Sequence, residues 1–140
     1  MTITRTKDRI KKTGEVFTPA WLVQEMLKAL PPEVFTDPLK TFLDPAAGDG
    51  NFLVQILQKK IDQNHNLLQA LHTTYGVELM PDNVQECKRR LREIAVANLS
   101  EQQKTDKVLL AIDKILDHNI ICYDSLTWDY EAWEIASYEV

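Results

Sequence analysis

The sequence lacks several features that would assign it to a specialised class of protein. Its two cysteines, Cys87 and Cys122, lie far apart and outside any CxxC motif, which argues against a disulfide framework or a zinc site and suits a reducing cytoplasm. No apolar run approaches the roughly 20 residues that span a bilayer. The first fourteen residues have no apolar segment, so they do not form a secretory signal. With 140 residues, 44% of them apolar, the composition indicates one soluble domain in the cytoplasm.

The sequence has no excess of positive charge, since 16 Lys and Arg stand against 21 Asp and Glu, and this limits direct binding of nucleic acid. The formal net charge is -5, so the overall balance does not attract a phosphate backbone. The one basic stretch, residues 1–13, has five Lys or Arg against a single Asp. We interpret it as a solvated arm or an extra first helix, in preference to a DNA contact.

Strands and helices are predicted to alternate along the chain. Apolar spacing and the positions of proline and glycine predict helices over residues 20–30, from Asn51, from Pro81 and over 108–116, with strands over 41–44, 73–79 and 119–123. This order predicts an α/β fold, with a parallel sheet of about three strands flanked by helices and an additional helix at the amino terminus.

Each predicted strand ends in an acidic residue, namely Asp44, Glu78 or Asp124. Because ligands of parallel sheets bind outside the carboxyl ends of the strands, the three carboxylates should share one edge. Glu78 could accept hydrogen bonds from both ribose hydroxyls of an adenosine, or it could be a solvated strand end. Asp124 could accept a hydrogen bond from an adenine amino group, or it could cap its own turn.

The turn after the first strand has a composition that favours a positively charged ligand. Gly48 and Gly50 let the backbone turn tightly and approach a ligand. The turn lacks the GxxxxGK[ST] pattern of a phosphate loop and contains Asp44 and Asp49. It therefore suits an ammonium or a sulfonium, although a tight turn without a ligand is the alternative. Asp49 either strengthens the attraction for a cation or faces solvent.

Four further segments occur in a recognisable order, namely residues 14–19 (GEVFTP), 44–53 (DPAAGDGNFL), 76–78 (GVE) and 123–125 (YDS). Together they resemble the amino-terminal half of the S-adenosylmethionine-dependent adenine-N6 DNA methyltransferases found in restriction-modification systems. The resemblance extends over about residues 14–128, and it implies a partial Rossmann-like methyltransferase fold. On this basis residues 14–140 form a truncated domain that binds S-adenosyl-L-methionine, with no metal.

The resemblance implies contacts at the methionine end of the cofactor. Thr18 would contact the methionine carboxylate, and Phe17 and Pro19 would shape that wall of the site. The residues that would surround the methionine and sulfonium are Asp44, Ala46, Gly48 and Gly50.

The resemblance implies a second set of contacts around the adenosine. Glu78 would bind the ribose hydroxyls, and Leu79 would pack on the adenine ring. Asp124 would accept a hydrogen bond from the adenine amino group, with Ser125 beside it.

The catalytic motif of this family, [DNS]PP[YF] at the end of a fourth strand, is absent. The only Pro-Pro pair, Pro31–Pro32, precedes the glycine turn and has neither correct neighbour. We therefore expect no catalytic residue in this chain, no target-recognition domain, and DNA contact only through missing domains or a partner chain.

The order of strands implied by the resemblance leaves residues 41–44 as an exposed apolar edge. We expect the tail, a second copy or a complementing subunit to cover it. The aromatic and acidic tail, which includes Trp128, Tyr130, Trp133 and Tyr138, is expected to pack in the core or in an oligomer contact rather than on nucleic acid.

Three functions are compatible with these features. The chain could be the cofactor-binding part of an adenine methyltransferase that is inactive alone. It could instead be a non-catalytic module that regulates or interferes with a methyltransferase complex, or a small structural domain that has lost the ligand.

Overall fold

The computed structural model describes residues 18–133, in which helices and strands alternate. The basic arm and Phe17 lie outside the described residues, as does Tyr138. The described residues form α1 (Ala20–Lys28), α2 (Glu33–Thr36), β1 (Phe42–Asp44), α3 (Asn51–Asp62), α4 (Leu67–His72), β2 (Thr74–Glu78), α5 (Pro81–Ala97), α6 (Asp106–Asn119) and β3 (Ile120–Cys122).

The three described strands form one parallel sheet in the order β1-β2-β3. Asp44 is paired with Gly76, and Glu78 is paired with Cys122, so the strands end near one another. The prediction of a partial Rossmann-like fold with a parallel sheet of about three strands flanked by helices is confirmed.

The predicted starts of α3 and α5 are confirmed, and the differences elsewhere have local causes. The first helix ends at Lys28 rather than at residue 30. Helix α6 begins at Asp106 rather than at residue 108, because the Thr105 side chain caps the amide of Val108. The short helices α2 and α4 were not predicted, since four or six residues carry too little apolar periodicity.

The core lies between the sheet and the long helices. Leu53 and Leu57 of α3, Leu91 of α5 and Ile112 of α6 are completely buried in one continuous apolar cluster. Gly76 makes this packing possible at the centre of β2, because a Cβ atom there would lie 2.7 Å from Leu53 Cδ1 and 3.0 Å from Ala47 Cβ. The core thereby fixes the start of α3 against the sheet.

The predicted exposed edge is present in the structure. Within residues 18–133, β1 pairs with β2 alone, and the side chain of Leu43 is 48% exposed. The described part of the tail packs on β2 beside this strand: Trp133 contacts the ring of Tyr75, the register partner of Leu43, edge-on at 4.9 Å and donates Nε1–H to the carbonyl of His118. This packing supports the structural interpretation of the tail, and covering of the β1 edge stays a prediction.

Within residues 18–133, no helix is both long enough and apolar enough to cross a membrane.

Candidate cofactor site

The loop between β1 and α3 makes a tight turn with two left-handed residues. Gly48 has a φ of 56° and Gly50 a φ of 98°, a region that L side chains rarely adopt. Gly50 also lies directly above α5, since a Cβ atom at this position would be 3.0 Å from Cys87 Sγ. The amide of Ala47 donates to the carbonyl of Val77 at 3.0 Å, which joins the loop to β2. Both positions therefore require glycine because their φ angles are left-handed, and Gly50 also requires it because a side chain there would crowd Cys87.

Asp44 ends β1 at the base of this loop. Its Oδ1 accepts a hydrogen bond from the amide of Ala46 at 3.0 Å, which fixes the first residues of the turn. Burial raises the pKa of the Asp44 carboxyl; the Ala46 hydrogen bond opposes this effect, and the negative charge of Glu78 adds to it. A neighbouring cation would favour the ionised carboxylate and so oppose both of the effects that raise this pKa.

Glu78 links the ends of the first two strands. Its Oε1 accepts from the amide of Gly48 at 3.2 Å, and its Oε2 accepts from the amide of Met80 at 2.8 Å and from Asn83 Nδ2 at 3.1 Å. The side chain is almost completely buried, so the interpretation as a solvated strand end is wrong. The carboxylate instead holds the glycine loop and the start of α5 in fixed relation.

The segment after β3 lies beside Glu78. The amide of Tyr123 donates to the carbonyl of Glu78 at 3.1 Å, and Leu79 is exposed at 56%. Asp124 Oδ1 accepts from the amide of Leu126 at 2.9 Å, so Asp124 caps its own turn, the alternative left open by the sequence. The carbonyl of Ser125 accepts from the hydroxyl of Tyr130.

Thr18 reaches the site from the segment before α1. Its carbonyl accepts a hydrogen bond from Asn51 Nδ2 at 2.9 Å, which places Thr18 beside the start of α3. Pro19 is the exposed residue that precedes α1, and Ala46 is exposed on the glycine loop. Phe17 lies outside the described residues.

Two side chains that the sequence did not identify connect these segments. Asn83 lies on the first turn of α5 and donates to Glu78. Arg90 lies farther along α5, and its Nη1 donates to the carbonyl of Asp49 at 3.0 Å and to Asn51 Oδ1 at 2.9 Å. Arg90 and Asp49 are forty-one residues apart along the chain, and no local pattern marks this contact.

The expectation that Asp49 could face solvent is wrong. The residue is completely buried, and its Oδ1 lies 3.4 Å from Arg90 Nη1. Asp49 lies between the two left-handed glycines, and this part of the loop contacts α5 through Arg90.

The site is rich in carboxylates. Burial raises the pKa of the Cys87 thiol to about 12, with smaller contributions from the charges of Asp44, Asp49 and Glu78 that Arg90 partly opposes. Cys87 therefore stays protonated at neutral pH and acts as a packing residue beneath the loop. Within the part of the chain that the structure describes, no cluster of three or more His, Cys, Asp or Glu side chains is arranged to hold a metal.

Comparison with known families agrees with this geometry. A family model described as N-6 DNA Methylase matches residues 3–109, which is most of the chain. The chain belongs to the N-6 DNA methylase family. No curated protein and no solved structure matched it.

The match to the N-6 DNA methylase family includes most of the candidate site. It contains the loop after β1, Glu78 and all of α5, and it ends within α6. Asp124 and Ser125 lie beyond the matched residues. The Pro31–Pro32 pair lies between α1 and α2, where the carbonyls of both prolines accept backbone hydrogen bonds from the following turn. It begins a short helix, and no described strand precedes it.

Proposed function

We propose that the carboxyl edge of the sheet binds S-adenosyl-L-methionine, and that the chain is the cofactor-binding part of an adenine-N6 DNA methyltransferase. The observation that carries this proposal is the hydrogen bond from the Gly48 amide to Glu78 Oε1 at 3.2 Å. It brings an acidic residue of the second strand against a glycine turn that begins at the acidic end of the first.

The chemistry of these groups suits the two halves of the cofactor. Gly48 is the one described donor to Glu78 Oε1, and a carboxylate oxygen has two lone pairs, so this atom can also accept from a ribose hydroxyl. Asp44, whose ionisation is disfavoured by burial and by Glu78, gains from a nearby sulfonium or ammonium. Leu79 offers an exposed apolar surface beside Glu78 for an adenine ring.

Calorimetric titration of the purified chain with S-adenosylmethionine tests this proposal. We expect binding by the wild type and a loss of affinity of about tenfold or more in Glu78→Gln, because the amide removes the charge that strengthens the acceptor. The matched control is Glu93→Gln, which makes the same substitution at an exposed position of α5. Absence of binding by a folded wild-type chain would favour a structural domain that has lost its ligand.

We propose that the chain does not transfer methyl groups alone. Methylation of adenine requires hydrogen-bond acceptors at the target amine and an aromatic surface for the extruded base. The sequence has no [DNS]PP[YF] segment to supply them. Labelled S-adenosylmethionine and duplex DNA should give no methylated adenine with this chain, and accumulation of methylated product would contradict the proposal.

We further propose that a second copy or a complementing subunit completes the open edge of β1. Leu43 is exposed there, and an unpaired apolar strand is a template for pairing. Light scattering across a range of concentrations should show an assembly that Leu43→Lys disrupts. DNA would be contacted through such a partner, as expected from the net charge of -5.

The same open edge favours the second candidate function, a non-catalytic module that regulates a methyltransferase complex. A partner that methylates DNA without this chain, and whose rate changes when the chain is added, would indicate regulation, whereas a partner that is inactive until the chain is added would indicate an essential subunit. In either role we propose a cytoplasmic restriction-modification setting, where DNA and the cofactor are both present. Cell fractionation tests the location.

A further inference from the structure

The buried carboxylate of Asp49 needs an explanation beyond the turn itself. Asp49 is completely inaccessible, and neither carboxylate oxygen has a hydrogen-bond partner. Its nearest described cation is Arg90, with Nη1 3.4 Å from Oδ1. A buried carboxylate is unfavourable without a compensating charge, so Asp49 makes the loop dependent on Arg90.

Arg90 makes its contacts with the loop through a single nitrogen. Besides approaching the Asp49 carboxylate, Nη1 donates to the carbonyl of Asp49 at 3.0 Å and to Asn51 Oδ1 at 2.9 Å. Asn51 in turn contacts the segment before α1, because its Nδ2 donates to the carbonyl of Thr18 at 2.9 Å. One guanidinium on α5 therefore connects the glycine loop, the start of α3 and the segment that precedes α1.

The other arginines near this part of α5 have no such connection. Arg89 pairs with Glu86 and Glu93 on its own helix, and Arg92 pairs with Asp113 of α6. Both of these side chains are about half exposed, whereas that of Arg90 is 19% exposed. Arg92 is thus a matched control, an arginine of the same helix in an ion pair that does not touch the loop.

We propose that Arg90 is a positioning residue that holds residues 48–51 in the conformation that receives the cofactor, with Asp49 as its buried partner rather than a cofactor ligand. This inference rests on the proposed function. Glycine gives the loop access to many conformations, so an external anchor is needed to select one. Movement of Gly48 would also remove the hydrogen bond that its amide donates to Glu78 Oε1.

The test compares Arg90→Met, Arg90→Lys and Arg92→Met in calorimetric titration with S-adenosylmethionine. Circular dichroism first establishes that each variant is folded at the temperature used. We expect an affinity loss of about tenfold or more in Arg90→Met, consistent with removal of charged hydrogen bonds, partial recovery in Arg90→Lys, and a change of less than about twofold in Arg92→Met. A purely structural role would lower the melting temperature of Arg90→Met and leave the affinity of the folded protein unchanged, which would overturn the inference.

Hydrogen exchange gives a second readout that needs no cofactor. Amides of residues 48–51 should exchange faster in Arg90→Met than in Arg92→Met, while those of β2 stay protected. If Arg90→Met does not fold, Asn51→Ala replaces it, because it removes one acceptor of Arg90 and leaves the ion pair with Asp49. Unchanged affinity and unchanged loop exchange in that variant would overturn the inference.

The two proposals fail in different ways. A folded wild-type chain that does not bind S-adenosylmethionine would remove both. The other result separates the two proposals. If the wild-type chain binds the cofactor, and Glu78→Gln weakens binding whereas Arg90→Met does not, the cofactor site is supported and only the role of Arg90 is refuted.

Discussion

The buried ammonium group of Lys60 should make the stability of the fold depend on pH. Lys60 lies near the end of α3 and is 1% exposed. Its Nζ donates to Thr73 Oγ1 at 2.6 Å and Thr74 Oγ1 at 3.1 Å, and it lies 4.9 Å from the centre of the Phe42 ring. Within residues 18–133 it makes no salt bridge. Burial lowers the pKa of Lys60 to about 7.

The sign of the pH dependence follows from the protons bound in each state. The pKa of an unfolded lysine is about 10.4. Between this pKa and the folded value of about 7, the unfolded chain binds more protons, so the free energy of unfolding rises with pH. Below pH 7 both states are protonated, and the destabilisation due to burial is fully present. From pH 7 to pH 9 the expected gain is about 2 kcal/mol.

Urea denaturation followed by tryptophan fluorescence at pH 7, 8 and 9 measures this gain. Lys60→Met is the control, because it keeps the length and apolar stem of the side chain and removes the titrating group. The difference in unfolding free energy between wild type and variant should change by about 2 kcal/mol over this range, in favour of the wild type as pH rises. A difference that is constant with pH would refute the reasoning, and it would mean that the hydroxyls and the Phe42 ring keep the ammonium charged.

Two further predictions concern glycines. Gly50→Ala should lower the unfolding free energy by about 1–2 kcal/mol, because alanine disfavours a φ of 98° and its Cβ atom would lie 3.0 Å from Cys87 Sγ. Adding Cys87→Ala should recover only the part of this lost unfolding free energy that comes from the contact with Cys87 Sγ. Urea denaturation of the single and double variants measures both values, and a Gly50→Ala variant as stable as the wild type would contradict the prediction. Gly76→Ala should cost about 1–3 kcal/mol through overpacking against Leu53 and Ala47, and it should weaken cofactor binding because Ala47 belongs to the loop. Thermal unfolding and calorimetry measure these two effects, and unchanged values in both would exclude the close packing.

The sequence was sufficient to predict the features that depend on local order. Pro81 begins a helix, and Asp44 and Glu78 end parallel strands, because proline, glycine and short apolar runs act within a few residues. Parallel strands then bring their carboxyl ends to one edge by topology. The neighbourhood of the glycine loop and Glu78 could therefore be predicted without coordinates.

The contacts that determine the shape of the site could not be predicted in this way. Arg90 and Asp49 are far apart in sequence, and either residue alone is indistinguishable from a solvated charge. Lys60 also follows a pattern typical of an exposed helix end, yet the hydroxyls of Thr73 and Thr74 make its burial possible. Such pairings depend on how helices pack, and a single sequence does not record that packing.

The most direct test of the central claim is the location of the cofactor on the chain. Isotope-labelled protein titrated with S-adenosylmethionine should show its largest amide chemical-shift changes in residues 44–51 and 78–80, at the carboxyl edge of the sheet. Glu78→Gln should reduce these changes at equal cofactor concentration. Saturation without shifts in these segments, or with shifts centred on residues 63–69 beyond the carboxyl end of α3, would contradict the account.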